Sequence, residues 1–196
     1  MIKKTIFFSL FFFISFSTQS KNNEDFVKKF LTKFKTINNI KFDFIQTSDE
    51  VVETGSCFLS YPGKLICRYE GNDRKEIVIK NNTLVVIKRK YRRVYYYQVT
   101  NSSFSTILDK DKITAQIKNI KNISVQDNLL IIKFNNPKDS SSLRLFVNKD
   151  TLDIAEWETI GYDQRSISFS IKNSEINVDI KEKFEIPNFD LNRNGN

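Results

Sequence analysis

The sequence predicts one large antiparallel β-sheet, curled or closed into a barrel, together with two helical segments. Runs of alternating apolar and polar residues recur at short, regular intervals along most of the chain, a pattern typical of antiparallel β folds. The connections between the runs are short, and two helical segments are too few to act as the crossovers that a parallel sheet requires. The chain of 196 residues has a length typical of a single domain.

The predicted helices are both amphipathic. The first covers residues 23–38, where phenylalanine recurs at every fourth position and lysines fill the opposite side. This spacing places the apolar side chains on one face of a helix. The second helix is shorter and covers residues 102–109. The apolar residues of the two helical faces are Phe26, Phe30, Phe34, Phe104, Ile107 and Leu108.

The remaining elements are strands whose side chains alternate with a period of two. Pro62-Gly63 and Asn81-Asn82 separate neighbouring runs and are residue pairs that favour tight hairpin turns. The predicted strands cover residues 40–47, 56–60, 64–69, 76–79, 83–88, 94–99, 113–117, 123–125, 129–134, 142–147, 154–159, 166–171 and 176–184.

Residues 1–20 have the parts of a cleavable secretory signal. Lys3 and Lys4 precede an apolar core over residues 6–16, and a small or polar run follows over residues 17–20. The core is shorter than the roughly 20 apolar residues that a transmembrane helix needs. We therefore predict cleavage after Ser20 and export of the mature chain.

The composition argues against several classes of function. The chain contains no histidine, which removes a histidine general base, the common Ser-His and Cys-His nucleophile systems and every histidine-based metal site. Two cysteines cannot form a four-ligand zinc site by themselves, and the five glycines are scattered rather than grouped in a phosphate-binding loop. We expect no catalytic activity, no metal and no cofactor.

The formal net charge of +8 raises the question of an anionic partner. Lysine and asparagine are abundant throughout the chain, so a solvated lysine-rich surface is the simpler interpretation, and we expect no nucleic-acid binding. The densest basic segment covers residues 88–93. It lies where two predicted strands meet, which is typical of a solvated hairpin tip, with a mild preference for anionic surfaces as the alternative.

Several short motifs follow one another along essentially the whole predicted mature chain. They are the segment 44–46, Gly55, the segment 61–70 around Pro62-Gly63, the segment 76–82, the short helix at 102–108, and Trp157 followed by the polar turn at 163–167. Each motif is weak alone, but their order and spacing resemble the LolA family of periplasmic lipoprotein carriers.

The resemblance implies an α+β fold that is mainly antiparallel: an unclosed half-barrel of about eleven strands, with short helices as a lid over an apolar cavity. The implied domain covers residues 21–187, followed by a polar tail at 188–196. The implied function is a chaperone-like carrier in the periplasm that binds the acyl chains of lipoproteins. Its implied partners are acylated lipoproteins, an ABC-type transporter of the inner membrane and, in some systems, a lipid-anchored acceptor in the outer membrane. A monomer without a cofactor is expected.

Alternation predicts which residues face this cavity. If the Pro62-Gly63 turn sets the register, one face of the first hairpin carries alternate apolar residues. The sequence pattern alone favours the core of a closed barrel as the explanation of this face, and the resemblance favours the cavity instead. The proposed cavity residues on this face are Cys57, Leu59, Leu65, Cys67 and Tyr69, and the resemblance adds Trp157.

Two departures from the family pattern concern the lid and the cysteines. Tyr61 and Ile66 occupy positions where many members have arginine, and Tyr61 is a possible lid contact through its hydroxyl group. Cys57 and Cys67 lie on the same predicted face. Export permits a disulfide between them, and two small buried thiols are the alternative.

Three other functions remain open at this point. The main alternative is a periplasmic domain of the same fold that senses lipid or lipoprotein without shuttling it. A lipid-anchored acceptor of similar fold is disfavoured because no lipid-attachment cysteine follows the signal core. An enzyme acting on envelope lipids is disfavoured by the missing histidine.

Overall fold

The computed structural model describes residues 17–99, 103–118, 123–136, 140–179 and 181–189, and it describes the side chains from residue 23 onward except those of residues 103, 104 and 118. Residues 1–16 of the predicted signal at 1–20 and most of the polar tail lie outside these ranges. The described residues form the α-helices α1 (Ser17–Thr36), α2 (Ser103–Ile107) and α3 (Lys110–Lys118), and a 3-10 turn covers Arg89–Tyr91. The strands are β1 (Asn39–Ser48), β2 (Val51–Ser60), β3 (Lys64–Tyr69), β4 (Lys75–Lys80), β5 (Thr83–Lys88), β6 (Arg93–Gln98), β7 (Ile123–Gln126), β8 (Leu129–Asn135), β9 (Ser142–Asn148), β10 (Ile154–Ile160) and β11 (Ser166–Ile176).

All eleven strands form one antiparallel sheet, in the order β6-β5-β4-β3-β2-β1-β11-β10-β9-β8-β7. The first and last strands, β1 and β11, pair at its centre. The strands β6 and β7 form the two edges and do not pair with each other. The sheet is therefore not closed, which confirms the predicted antiparallel half-barrel.

The residue types in the turns explain the backbone conformations of the turns. Asn81 and Asn82 have φ angles of 52° and 60°, and they join β4 to β5 as a two-residue loop because Lys80 pairs with Thr83. Asparagine tolerates this left-handed conformation, which two-residue hairpins require. Gly63 has φ of 68° in the turn between β2 and β3. Both predicted hairpins are confirmed.

One predicted strand is wrong. Residues 113–117 lie in α3 and not in a strand. Ile113 and Ile117 are both buried, and their spacing of four residues fits a helix as well as a strand. The carboxylate of Asp109 accepts hydrogen bonds from the backbone N–H groups of Asp111 and Lys112. This N-terminal cap satisfies donors that a helix leaves free and favours the helix.

The predicted strand at 176–184 is also wrong. β11 continues to Ile176, and the described residues 177–179 and 181–189 form no further strand. We call these residues the C-terminal strap. The strap crosses the convex face of the sheet, where Val178, Phe184 and Phe189 pack on a second apolar cluster. The residues of this convex cluster are Phe58, Ile66, Val78, Val85 and Ile87.

The strap is held by polar contacts as well as by packing. Both guanidinium Nη atoms of Arg68 donate to the carboxylate of Glu182, at 3.0 and 2.7 Å. Arg92 donates to the carbonyl oxygen of Phe189 at 3.0 Å. The half of the sheet from β2 to β5 is consequently covered on its convex side. No helix among the described residues is long and apolar enough to cross a membrane.

Candidate functional site

The candidate site is the concave face of the sheet, which carries the larger apolar cluster. In β1, Phe42 and Phe44 are 1% and 2% exposed, while the residues beside them at positions 41, 43 and 45 are exposed. Burial by alternate residues recurs in β8 and β9. In β2 and β3 both faces are buried, because Phe58 and Ile66 belong to the convex cluster, and in β10 Trp157 is the buried residue. This alternation follows from the pleat of a strand and makes the concave face continuously apolar.

The first hairpin places the predicted cavity residues together. Cys57 lies directly opposite Cys67, and Leu59 lies opposite Leu65. All four side chains, with Tyr69, belong to the concave cluster and are buried. The two cysteines form a disulfide, with Cα atoms 4.1 Å apart. Of the two alternatives left open by the sequence, the structure has the cross-strand bridge.

Gly55 allows the hairpin to approach β1 closely. A Cβ atom at this position would lie 2.1 Å from the carbonyl oxygen of Arg68 and 2.9 Å from the ring of Phe44. Neither atom can be that close to a carbon atom, so only glycine fits here. The ring of Phe44 occupies this space and packs edge-on against Tyr69, with centroids 4.9 Å apart.

A polar cluster surrounds the hydroxyl of Tyr69. This hydroxyl donates to Gln46 Oε1 at 2.5 Å, and Gln46 Nε2 donates to the carboxylate of Glu53 at 3.3 Å. Lys75 forms an ion pair with Glu53 and lies 3.7 Å from the centroid of the Tyr69 ring. Burial, with a smaller contribution from the Glu53 charge, raises the pKa of Tyr69, so the phenol stays protonated and remains a donor.

The helices cover the concave face with apolar side chains. Phe30 and Phe34 of α1 are 1% exposed and stack with centroids 5.3 Å apart. Phe26 is only partly buried. Ile107 and Leu108 are buried in the same cluster, whereas the side chain of Phe104 lies outside the described part of the chain. The sequence prediction missed Ile113 and Ile117 of α3, which also belong to the cluster.

Lys110 fastens α3 to the end of α1. Its Nζ atom donates to the carbonyl oxygen of Ile37 at 2.7 Å and to that of Lys35 at 3.2 Å. The last carbonyl groups of a helix lack partners within the helix and attract a positive charge. Lys110 Nζ also lies 5.3 Å from the centroid of the Tyr61 ring. We call this set of contacts the lid latch.

Tyr61 contributes to the latch through its ring. The ring packs edge-on against Phe34 with centroids 5.7 Å apart. Burial raises the pKa of its hydroxyl, and the hydroxyl oxygen has no hydrogen-bond partner among the described residues. The backbone beside it is tied to the lid, because Gly63 N–H donates to the carbonyl oxygen of Leu108 at 2.8 Å. The lid contact of Tyr61 is therefore aromatic and not a phenolic hydrogen bond.

A family model described as outer membrane lipoprotein carrier protein LolA matches residues 35–186 of this chain. The chain belongs to the LolA family. The match extends from the end of α1 through the whole sheet and most of the strap. A comparison with curated protein sequences found no significant match.

Several solved structures are similar to this LolA family member in fold. The complex of MucA and MucB from Pseudomonas aeruginosa matches with 9% identity and a TM-score of 0.49, covering 85% of this chain and 61% of that chain. Lipoprotein LppX from Mycobacterium tuberculosis matches with 9% identity and a TM-score of 0.43, covering 82% and 97%. A LolA superfamily protein from Nitrosomonas europaea matches with 8% identity and a TM-score of 0.41, covering 78% and 94%.

Trp157 lies deep in the concave face of this LolA domain. It is 3% exposed, stacks on Phe169 with centroids 5.1 Å apart and meets Phe42 edge-on at 5.7 Å. Its indole Nε1 has no hydrogen-bond partner among the described residues. The predicted cavity residue is thus part of a large aromatic surface.

Two spaces adjoin the lid of the LolA domain. A small apolar cavity of about 20 Å³ lies beneath α1, lined in part by Phe30, Phe34 and Ile154. A wider cleft of about 220 Å³ lies between the hairpin turns and the α2–α3 connection, beside Pro62 and Leu108. Among the described residues, no group of three or more His, Cys, Asp or Glu side chains could hold a metal ion.

Proposed function

We propose that this protein is a periplasmic carrier that binds the acyl chains of lipoproteins released from the inner membrane and delivers them to the outer membrane. The observation that carries the proposal is the continuous apolar concave face, which is covered by helices rather than by a second sheet. Family membership supports the same function. The predicted secretory signal at residues 1–20 supports the proposed compartment.

The energetics of acyl chains explain why the covered face suits a carrier. Burial of an acyl chain contributes about 0.8 kcal/mol per CH₂ group, so a lipoprotein with several chains is held firmly in its membrane. A carrier in water must offer a comparable apolar surface. The concave face provides large flat side chains for this purpose, among them Phe42, Phe44 and Trp157.

Loading requires that the helices move away from this face. The lid buries Phe30 and Phe34 on the sheet, and an incoming acyl chain would replace these contacts with contacts of similar kind. The polar latch at Lys110 is local to one end of α1. The net free energy of loading is then the difference between the packing free energies of the acyl chain and of the lid, less the free energy needed to break the latch contacts. This difference keeps the affinity moderate and release possible.

The proposed partners follow from this scheme. Extraction from a membrane is uphill, and we assign it to an ABC-type lipoprotein-releasing transporter of the inner membrane. Delivery is downhill to a site of greater affinity, which is the outer membrane itself or a lipid-anchored acceptor. The carrier acts as a monomer, and its own chemistry is binding and release without catalysis.

The test is release of radiolabelled lipoprotein from spheroplasts into the soluble fraction. The mature protein should support ATP-dependent release, and native mass spectrometry should show acylated cargo bound to it. Leu65→Gln places a polar amide on the concave face and should reduce loading. Lys64→Gln is the matched control, because Lys64 precedes Leu65 in β3 and is exposed. Circular dichroism checks that both variants are folded.

A sensing domain of the same fold is the alternative function. It would bind lipid or lipoprotein and yet fail to release lipoprotein from spheroplasts under conditions where a known carrier succeeds. That result would overturn the shuttle and favour the sensor. Equal release by the wild type and Leu65→Gln would instead exclude the concave face as the binding site.

A further inference from the structure

The edge strand β6 exposes an unusual set of aromatic side chains. Tyr95, Tyr96 and Tyr97 are 37%, 63% and 55% exposed, and Tyr91 in the preceding 3-10 turn is 50% exposed. β6 pairs only with β5 within the sheet. A soluble protein usually protects such an edge with charged side chains or covers it. Here the edge carries three consecutive tyrosines, so a contact with another surface is indicated.

The tyrosines straddle the edge. Tyr96 lies opposite Val85, a member of the convex cluster, so Tyr96 is on the convex side. Tyr95 and Tyr97 therefore lie on the concave side by alternation. Tyr97 lies opposite Leu84, which packs against the concave cluster. A flat surface that approaches β6 from the side would meet phenol rings on both faces of the sheet.

Cationic side chains accompany these rings. The segment 88–93 carries five lysine and arginine residues and no acidic residue. Two of the five have structural partners, since Arg89 pairs with Glu76 and Arg92 donates to the strap. Lys88, Lys90 and Arg93 form no ion pair with any described residue. These three cations give a positive charge to the end of β6 that adjoins the 3-10 turn.

β6 borders the opening of the half-barrel, so its exposed residues lie beside the entrance to the concave face. The sheet is open between its edges β6 and β7, so β6 forms one lip of the opening to the concave face. Tyr95 and Tyr97 continue that face outward beyond Leu84. Apolar material that leaves the concave face across this lip passes over tyrosine rings before it reaches solvent.

We propose that the β6 lip, formed by Lys88, Lys90, Arg93, Tyr95, Tyr96 and Tyr97, docks on the surface of an anionic phospholipid membrane. Phenol rings have an apolar body and a polar tip, and they favour the boundary between headgroups and acyl chains. Lysine and arginine are attracted to anionic headgroups. An acidic protein segment would be matched by the cations, but it would not account for rings on both faces of the edge.

Docking at the lip would place the opening of the half-barrel beside the bilayer. Acyl chains could then pass between the concave face and the membrane without crossing water. This consequence for transfer rests on the proposed carrier function. The docking itself does not, because it concerns the cargo-free protein and a lipid surface.

The test is flotation of the cargo-free mature protein with vesicles of phosphatidylglycerol and phosphatidylcholine, or of phosphatidylcholine alone. The wild type should bind the anionic vesicles, and added salt should weaken the binding. K88S/K90S/R93S should lower the partition coefficient about 100-fold, since each basic residue near an anionic surface contributes about tenfold or less. Y95S/Y96S/Y97S should also reduce binding. None of the six replaced side chains is buried, so the variants should fold, and thermal melts check this.

A matched control removes three exposed lysines away from the lip, K64S/K133S/K172S, and should retain vesicle binding. Equal loss in the control, equal binding to neutral vesicles, or no binding by the wild type would overturn the proposal. Capture of an acidic peptide at the lip with no vesicle binding would likewise replace the membrane with a protein partner. Binding of a fluorescent fatty acid in the absence of vesicles tests the concave face separately. Failure of one assay with success of the other shows which proposal is wrong.

Discussion

Replacement of Lys110 by methionine tests the lid latch directly. Methionine keeps the aliphatic length that packs beside Tyr61 but removes the charged donor. In the wild type, this donor bonds to the carbonyl oxygens of Ile37 and Lys35, at 2.7 and 3.2 Å. Lys110→Met therefore leaves the end of α1 without its cation and should favour the open lid.

The expected magnitude follows from these two contacts. A hydrogen bond from a charged donor contributes about 1.5–3 kcal/mol. Lys110 is only half-buried, so water competes with the longer of the two bonds, and we count one effective bond of about 2 kcal/mol. This corresponds to a change of about 30-fold in the ratio of closed to open lid.

Two measurements report this change. Hydrogen exchange at the amides of the last turn of α1 should accelerate by up to about 30-fold, because opening precedes exchange. A fluorescent fatty acid should bind more tightly by a similar factor, because ligand no longer competes with a latched lid. The far-ultraviolet circular dichroism spectrum should be unchanged.

Lys112→Met is the matched control, two residues along the same helix. Lys112 is exposed, and Asp109 at 4.0 Å is its ion-pair partner among the described residues, so exchange in α1 should change by less than twofold. The reasoning is refuted if Lys110→Met leaves α1 exchange at the wild-type rate. It is also refuted if both lysine variants accelerate exchange equally.

Three further predictions concern the frame around the site. Gly55→Ala should lower the free energy of unfolding by about 1–3 kcal/mol, because the new Cβ would meet the Arg68 carbonyl oxygen; an unchanged urea midpoint would contradict this packing. Replacement of both Cys57 and Cys67 by alanine should lower the free energy of unfolding by about 2.5 kcal/mol, because it opens a covalent loop with a sequence separation of 10. The reduced wild type should melt at the same temperature as the variant. The hydrogen bond with Arg68 lowers the pKa of Glu182, so the pair stabilises the strap above the ordinary carboxyl pKa of 4.5 and is lost as the pH falls through the lowered value. Glu182→Gln should remove this acid-dependent part, and identical wild-type and variant stability curves between pH 2 and 5 would count against it.

The strands could be predicted from the sequence where one face is buried and the turn has a specific chemistry. In the first hairpin, Pro62 and Gly63 set the register, and alternation then places Cys57, Leu59 and Leu65 on one face. Trp157 is predicted from the resemblance to the LolA family and not from alternation. Which side chains of a strand share a face depends only on neighbouring positions in the sequence, so it can be predicted from the sequence.

The two wrong strands show where local information ends. Residues 113–117 have apolar side chains at spacings that fit both periods, and only the cap at Asp109 distinguishes a helix. Residues 176–184 alternate like a strand, but the positions on both sides of β11 are taken by β1 and β10. The segment therefore buries its apolar residues on the convex face.

The latch could not be predicted for a different reason. Lys110 and Ile37 are 73 residues apart, and nothing in the sequence around either residue indicates the other. The partner of the lysine is a backbone carbonyl group, which every residue possesses. Such a contact is visible only after the helices have been placed on the sheet.

The pairing of β1 with β11 has a consequence for how the chain acquires its structure. β1 lies at the centre of the sheet between β2 and β11. A strand near the start of the chain therefore cannot complete its pairing until a strand near the end of the chain is available. Contacts of such long sequence separation form slowly. For the exported chain that we propose, the sheet cannot be completed until nearly all residues have crossed the inner membrane. The topology therefore delays completion of the sheet until the last strand is available.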